Sequence, residues 1–183
     1  MMRHVILALA ATLFCYESAI GQDVRVADEF EIEASVDLVW NAFTTTEGLQ
    51  SWLAPLADID FRVGGEWRAN YAKDGKLGDE TTIENTILCH DPQRKLSIKA
   101  TGFPKGFEFE NAAKETWSIF YFEKVSDTKT KITIVGLGYN DTEPSKKMRA
   151  HFKPANEYSM NRLKAALEKK APDNEASKKQ INN

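Results

Sequence analysis

The segment EFEIEASVDLVWNAF, residues 29–43, changes its hydrophobic period at Ser35. Before this residue, Phe30, Ile32 and Ala34 alternate with glutamates, which is typical of a half-buried β-strand. Ser35 itself is a favourable helix N-cap. The apolar residues that follow recur at helical spacing: Val36, Val39, Trp40 and Phe43. The segment therefore predicts a strand near 29–34 and a short helix that ends near residue 43.

A second short helix and a series of strands are predicted downstream. The helix opens at Thr46, carries an apolar face and ends before Pro55, which cannot continue a helix. From residue 58 to residue 139 the helical period disappears, and turn residues separate strand-like segments that form an antiparallel meander. These strands are expected near 58–63, 65–72, 80–90, 94–101, 115–126 and 129–139, with a loop or irregular edge over 102–111.

The last predicted element is a long helix from about residue 145 to residue 170. Pro154 lies inside it, removes a backbone donor and should kink the helix or begin a new one. The order of elements is typical of the α+β class. We expect six or seven antiparallel strands to curl around the long helix, with two short helices after the first strand.

The first 21 residues have the pattern of a secretory signal peptide. A weakly basic start is followed by an apolar run and by small residues ahead of Gln22. The run has about half the ~20 residues that a membrane-spanning helix needs, so no stable membrane anchor is predicted. The protein is therefore expected to be exported, either periplasmic or secreted, with a mature chain that begins at Gln22.

The rest of the chain is divided by composition. A short N-terminal lead is expected over 22–27, and one domain over 28–170. The tail, 171–183, is polar and lacks aromatic residues, and it is expected to be disordered.

Charge and cysteine content exclude several classes of function. The formal net charge is -3, so no nucleic-acid partner is predicted. Export would leave Cys89 as the only thiol, and neither His90 nor His151 has a further ligand at a metal-binding spacing. No Gly-x-Ser-x-Gly sequence is present. The sequence thus predicts no metal, no cofactor and no catalytic residue, and it does not predict the oligomeric state.

Four sequence landmarks carry a resemblance to a known family. They are Val39-Trp40-Asn41-Ala42-Phe43, Trp52-Leu53-Ala54-Pro55, Val63-Gly64-Gly65-Glu66-Trp67-Arg68 and Asp91-Pro92-Gln93-Arg94-Lys95-Leu96. With them, residues 28–170 resemble the START-like (SRPBCC) superfamily, and within it the group named after the activator of the heat-shock-protein ATPase (AHSA-type). The resemblance implies a helix-grip fold with a cavity between the sheet and the last helix. It does not fix function, because the superfamily includes lipid carriers, hormone receptors, polyketide cyclases and co-chaperones.

Aromatic and polar side chains are the candidates for the wall of that cavity. Trp67 and Tyr71 share one strand face, which should point to the concave interior. Trp117 and Tyr121 share one face of a strand that is apolar on both sides, so either face of it is a candidate. The complete predicted ligand-binding set is Trp67, Tyr71, Trp117, Tyr121, Phe152, Asn156, Ser159 and Met160.

Two polar residues on the last helix favour a cavity over a solid core. Asn156 and Ser159 lie in the middle of an otherwise apolar helix stripe, where a solid core would place leucine. Trp67, Tyr71, Asn156 and Ser159 are therefore expected to converge on one cavity. The alternative is that all the aromatic rings fill the core.

Three functions are compatible with these features. The leading hypothesis is a non-catalytic binding protein that holds a small hydrophobic or amphipathic molecule between the sheet and the C-terminal helix. The second is a cyclase- or hydrolase-like enzyme that uses the same cavity, with Asn156, Ser159, Tyr71 or His90 as polar participants. The third is a protein-interaction or co-chaperone-like module, in which side chains fill the cavity.

Overall fold

Seven antiparallel strands and four helices occupy residues 24–168 of the 183-residue chain, which are the residues that the computed structural model describes. The expected signal peptide and the expected disordered tail lie outside this range. The elements are β1 Val24–Ile32, α1 Val36–Thr44, α2 Thr46–Trp52, β2 Leu56–Ile59, β3 Glu66–Asn70, β4 Thr82–Asp91, β5 Lys95–Gly102, α3 Glu110–Ala113, β6 Trp117–Ser126, β7 Lys129–Tyr139 and α4 Glu143–Glu168.

The strands form one sheet in the order β1-β7-β6-β5-β4-β3-β2. Every neighbouring pair is antiparallel. The sheet curves around α4, whose buried Met160, Leu163 and Leu167 belong to the same core as the strands and the two short helices. This arrangement confirms the predicted α+β class and helix-grip architecture.

The opening segment folds as its hydrophobic period predicts. The Ser35 side chain accepts a hydrogen bond from the Leu38 backbone N–H and caps α1. β1 nevertheless begins at Val24 rather than near residue 29, so residues 24–27 of the expected lead belong to the strand. Val24 pairs with Tyr139, and Val26 pairs with Gly136, so the lead extends the β1–β7 ladder.

The centre of the core is an aromatic cluster around Phe43 of α1. Phe43 is fully buried, and its ring lies 4.9 Å from Trp52, 5.3 Å from Phe120 and 5.1 Å from Phe122, measured between centroids. Trp67 of β3 adds a fourth ring at 6.3 Å. These rings belong to the same buried cluster as Met160, Leu163 and Leu167 in the C-terminal half of α4.

The helix α4 is continuous through Pro154, so of the two predicted alternatives, a kink or a new helix, no new helix begins there. Pro154 removes one backbone donor from the helix interior, and its side chain is exposed to solvent. No helix within residues 24–168 is long and apolar enough to cross a membrane.

The β3–β4 loop, residues 71–81, is held by the side chain of Asn70. This side chain is fully buried, and its Nδ2 lies 2.9 Å from the Lys76 carbonyl oxygen, 2.8 Å from Asp79 Oδ1 and 2.9 Å from Thr81 Oγ1. Hydrogen bonds, first among them one from the Thr81 hydroxyl, lower the pKa of Asp79 to about 2. Asp79 thus remains an ionised acceptor within this network.

Replacing Asn70 by alanine is expected to cost ~1–3 kcal/mol of unfolding free energy, because buried acceptors lose their donor. Asn70→Asp should cost at least as much, since it places a carboxylate oxygen among the oxygens that now surround Nδ2. Urea unfolding monitored by tryptophan fluorescence measures both. A neutral result for Asn70→Asp would contradict the assigned direction of these hydrogen bonds.

Candidate functional site

A cavity of about 450 Å³ lies between the sheet and the N-terminal half of α4. Strands β1, β4, β5, β6 and β7 form its floor, and the β5–β6 connection forms one side. Its wall is lined by Val26, Asp28, Ile83, Asn85, Ala100, Phe103, Pro104, Phe107, Ala113, Thr116, Ser118, Ile134, Gly136, Tyr139, Arg149, Ala150, Phe152, Lys153 and Asn156. The volume is within the ~300–1,000 Å³ typical of small-molecule pockets.

Small side chains on adjacent strands create this space. Ala100 of β5, Ser118 of β6 and Gly136 of β7 all line the cavity floor. Ser118 pairs directly with Gly136 across the β6–β7 ladder. Two residues further along β6 the inward position is occupied by the ring of Phe120, which is buried in the core. The cavity is therefore the part of the interior where the sheet presents short side chains.

Polar groups from β1, β7 and α4 gather on one wall. Asn156 Nδ2 donates to Asp28 Oδ2 at 3.3 Å. Arg149 of α4 lies near the phenol of Tyr139 and forms an ion pair with Asp141 at an N–O distance of 3.8 Å. Burial raises the pKa of Tyr139; the Asp28 carboxylate adds to this rise, and the Arg149 guanidinium opposes it. The phenol therefore stays protonated and can donate a hydrogen bond.

Two glycines bring the Tyr139 ring into this wall. Gly138 has φ +79°, and the β1–β7 register shifts between Val24 and Val26, opposite this point. The left-handed residue breaks the two-residue alternation, so Tyr139 turns to the cavity side. A Cβ on Gly136 would meet Tyr139 Cε2 at 2.6 Å, which shows that the ring lies directly over the glycine backbone.

The opposite wall is aromatic. The rings of Phe103 and Phe107 stack with an interplanar angle of 3° and centroids 5.7 Å apart. The ring centroid of Phe107 also lies 6.3 Å from that of Phe152 of α4, and the ring centroid of Phe109 lies 5.3 Å from that of His151. These contacts hold the β5–β6 connection against the helix, so the cavity has one polar and one aromatic side.

The β5–β6 connection is also tied to the β3–β4 loop. The Lys105 backbone N–H donates to the Glu80 carbonyl at 2.8 Å, and Lys105 Nζ donates to Glu80 Oε2 at 2.9 Å. Asn70 fixes the β3–β4 loop, and this loop in turn holds the β5–β6 connection that carries Phe103 and Phe107.

Of the predicted ligand-binding residues, Phe152 and Asn156 line the cavity. The expected convergence of Trp67, Tyr71 and Ser159 on the same space is not found. Trp67 points inward as predicted, but its ring is 4 % exposed and packs in the core, where its Nε1 has no hydrogen-bond partner within residues 24–168. Tyr71 is 52 % exposed, because β3 ends at Asn70 and strand alternation stops there.

The remaining predicted residues also lie away from the cavity. On β6 the inward set is Ser118, Phe120 and Phe122, so Trp117 and Tyr121 belong to the opposite face. Met160 is buried in the core and Ser159 is half-buried beside it, because this part of α4 packs into the hydrophobic core.

His90, a polar participant in the enzyme hypothesis, does not line the cavity. Its ring lies 4.6 Å from Phe61, and its Nδ1 is buried without a hydrogen-bond partner among the described residues. Within residues 24–168 no three His, Cys, Asp or Glu side chains are grouped to hold a metal ion.

Asp28, Tyr139 and Arg149 line the cavity but were not among the residues predicted from the sequence. The two glycines before Tyr139 were a usable signal, because glycine inside a strand often marks a bulge or a close approach. The inward position of Asp28 follows from the same alternation that places Phe30 and Ile32 inward. Arg149 lies on the charged part of α4, which the sequence suggests is solvated.

Comparisons with known proteins support the fold. The chain is similar to the Aha1 dimer structure from Colwellia psychrerythraea, with 19% identity over 79% of this chain and 96% of that chain and a TM-score of 0.62. It is also similar to norcoclaurine synthase from Thalictrum flavum in complex with dopamine and hydroxybenzaldehyde, with 12% identity, coverage of 94% and 99%, and a TM-score of 0.60.

A third similar structure is the di-domain ARO/CYC protein BexL, with 13% identity, coverage of 79% of this chain and 46% of that chain, and a TM-score of 0.61. At these identities the likeness shows the fold alone.

No curated protein matches the sequence significantly. The family model described as Activator of Hsp90 ATPase homolog 1-like protein matches residues 33–168. The chain therefore belongs to the family of activator of Hsp90 ATPase homolog 1-like proteins, with an AHSA-type domain of the START-like (SRPBCC) fold.

Proposed function

We propose that the protein is an exported, non-catalytic binding protein that holds one small apolar or amphipathic molecule in the cavity beneath α4. The observation that carries this proposal is the cavity of about 450 Å³, which the core side chains leave open. A protein-interaction module with a filled interior, the third hypothesis, would not need such a space.

The lining supports an apolar or amphipathic ligand. Most of the wall is hydrocarbon, contributed by residues such as Ile83, Phe103, Phe107 and Ile134. A few polar groups converge on one side, which is the usual composition of small-molecule sites. Burial of apolar ligand surface at ~25 cal/mol per Å² supplies the driving force, and the polar side orients the molecule.

Binding is favoured over catalysis by the state of the polar groups. The Asp28 carboxylate already accepts a hydrogen bond from Asn156, and Tyr139, whose pKa is raised, is protonated and cannot serve as a base at neutral pH. An enzyme that uses Asp28 as its base remains the second candidate, because this carboxylate does line the cavity. Recovery of a bound molecule chemically unchanged after prolonged incubation would favour the binding protein.

Export is the second part of the proposal. It is supported by the basic start, apolar run and small residues of the first 21 positions. N-terminal sequencing of the mature protein, purified from whole cultures of its own cells, should give Gln22 as the first residue. A first residue of Met1 would overturn export, and it would leave the cavity proposal intact.

Filling the cavity is expected to weaken binding of an amphipathic fluorescent probe, 1-anilinonaphthalene-8-sulfonate. Ala100→Trp places an indole on the cavity floor and should lower the affinity for the probe at least ~10-fold, because the indole occupies the space that the probe needs. Thr101→Trp is the matched control, since the next residue on β5 is exposed on the other face of the sheet.

Fluorescence titration measures both variants against the unmodified protein. Thr101→Trp should retain the affinity of the unmodified protein, and equal binding by Ala100→Trp would place the probe elsewhere and contradict the proposed site. Circular dichroism of each variant checks that the fold is retained.

A further inference from the structure

The cavity carries two cations on its helix side and one anion on its strand side. Arg149 and Lys153 are four residues apart on α4, so both face the same space. Asp28 of β1 is the acidic side chain in the lining. The formal charge of the lining residues is therefore +1, from two cations and one carboxylate.

The Asp28 carboxylate has a side-chain hydrogen-bond partner, whereas neither cation has one among the described residues. Asp28 accepts from Asn156 at 3.3 Å. The ion pair of Arg149 with Asp141 has an N–O distance of 3.8 Å, which is beyond hydrogen-bond distance. Lys153 takes part in none of the ion pairs found within residues 24–168. The Arg149 and Lys153 donors are therefore available for hydrogen bonds to a ligand.

The lack of a side-chain hydrogen bond from Arg149 within the described part of the chain is significant because this side chain is mostly buried. It is 22% exposed, so most of the side chain is removed from water while it lines the cavity. A planar guanidinium in this position is well suited to a carboxylate, which it binds with two parallel hydrogen bonds. Tyr139, protonated and half-buried on the same wall, supplies a further donor.

We propose that the ligand is an amphipathic carboxylate, whose anionic group is bound by Arg149 and Lys153 and whose apolar body lies against the stacked Phe103 and Phe107 rings. This inference rests on the proposed binding function and narrows it to one ligand class. The geometry orients the molecule, with the carboxylate toward α4 and β7 and the apolar body toward the β5–β6 connection.

Three probes with the same apolar body separate this class from its alternatives. They are 2-naphthylacetate, 2-(2-naphthyl)ethanol and 2-(2-naphthyl)ethylammonium, which differ in the charge of the polar end. Isothermal titration calorimetry on the purified protein should show that the carboxylate binds ~10-fold more tightly than the alcohol, because it gains hydrogen bonds between charged groups. The ammonium compound should bind more weakly than the alcohol.

Variants then test which residues are responsible. The double variant Arg149→Gln, Lys153→Gln should lose the ~10-fold preference for the carboxylate and keep the affinity for the alcohol. The matched control is Lys146→Gln, Lys147→Gln, which removes the same charge from the same part of α4 outside the cavity lining. The control should retain the preference, so that a general effect of net charge is distinguished from direct contact.

The failure of this inference is distinguishable from that of the proposed function. If the alcohol binds as tightly as the carboxylate, the ligand class is overturned and the cavity proposal stands. If the ammonium compound binds most tightly, Asp28 determines the charge preference and the inference is again overturned. If none of the three probes binds and 1-anilinonaphthalene-8-sulfonate does not bind either, both proposals fail.

Discussion

Replacing Phe43 by alanine is expected to lower the free energy of unfolding by ~3–5 kcal/mol. Phe43 is fully buried, and its ring contacts those of Trp52, Trp67 and Phe120. Removal of this ring leaves a cavity that its aromatic neighbours cannot close, because their own rings are fixed by packing on every side. The loss is a large part of the stability of a domain of this size.

Leu38→Ala is the matched control for this prediction. Leu38 lies on the same helix and is 38% exposed, so its truncation should cost less than ~1 kcal/mol. Urea unfolding with an unchanged m-value gives both numbers. If the two variants were equally stable, α1 would not present Phe43 to the core, and the packing described for the aromatic cluster would be wrong.

The fold could be predicted because local sequence and tertiary structure agree in the decisive places. The change of period at Ser35 corresponds to an observed N-cap, and the alternation that places Phe30 and Ile32 inward is the alternation of β1. The two short helices, the six later strands and the long helix all appear near their predicted positions. Such consistency between levels is what makes a sequence specify one fold.

The site was harder to predict, because its position depends on where side chains are small. Trp67 is inward, as its strand pattern requires, yet a large inward ring fills space and does not line it. The cavity lies instead over Ala100, Ser118 and Gly136, which come from β5, β6 and β7. That these residues lie close together follows from the strand order and register of the sheet, which the sequence pattern alone does not provide. Periodicity indicates which face is inward, and it does not indicate where the interior is empty.

Strand β6 shows a second physical limit. Its two faces are both apolar, so the hydrophobic pattern gave no reason to prefer Ser118, Phe120 and Phe122 over the alternate set. Only pairing with β5 and β7, which fixes the register of the sheet, decides that Trp117 and Tyr121 belong to the opposite face.

Tyr139 illustrates how a backbone conformation can move a side chain between faces. Regular alternation from Ile134 and Gly136 would place Tyr139 on the face opposite the cavity. The left-handed conformation of Gly138 reverses this, and the register shift against β1 records the same irregularity. The position of a cavity donor therefore depends on a glycine that never contacts the ligand space itself.

Gly138→Ala is expected to cost ~2–4 kcal/mol of unfolding free energy, for two reasons. At φ +79° any side chain is strained, and a Cβ at this position overlaps the carbonyl oxygen of Glu115. Because this oxygen is part of the backbone, no rotamer change can relieve the overlap. The chain must shift either at the end of β7 or in the connection before β6, and both segments line the cavity near Tyr139 and Thr116.

Gly64→Ala separates the two contributions, because Gly64 has nearly the same φ, +78°, and a Cβ there meets no atom within 4 Å. This variant should lose only the conformational cost, ~1 kcal/mol, and should bind 1-anilinonaphthalene-8-sulfonate like the unmodified protein. Gly138→Ala should lose more stability and should also have a lower affinity for the probe, because the backbone shift that relieves the overlap displaces Tyr139. Equal losses in unfolding free energy for the two variants would show that the backbone at the Glu115 carbonyl moves aside without cost. Unchanged probe affinity in Gly138→Ala would show that the left-handed conformation of Gly138 does not position the polar wall of the cavity.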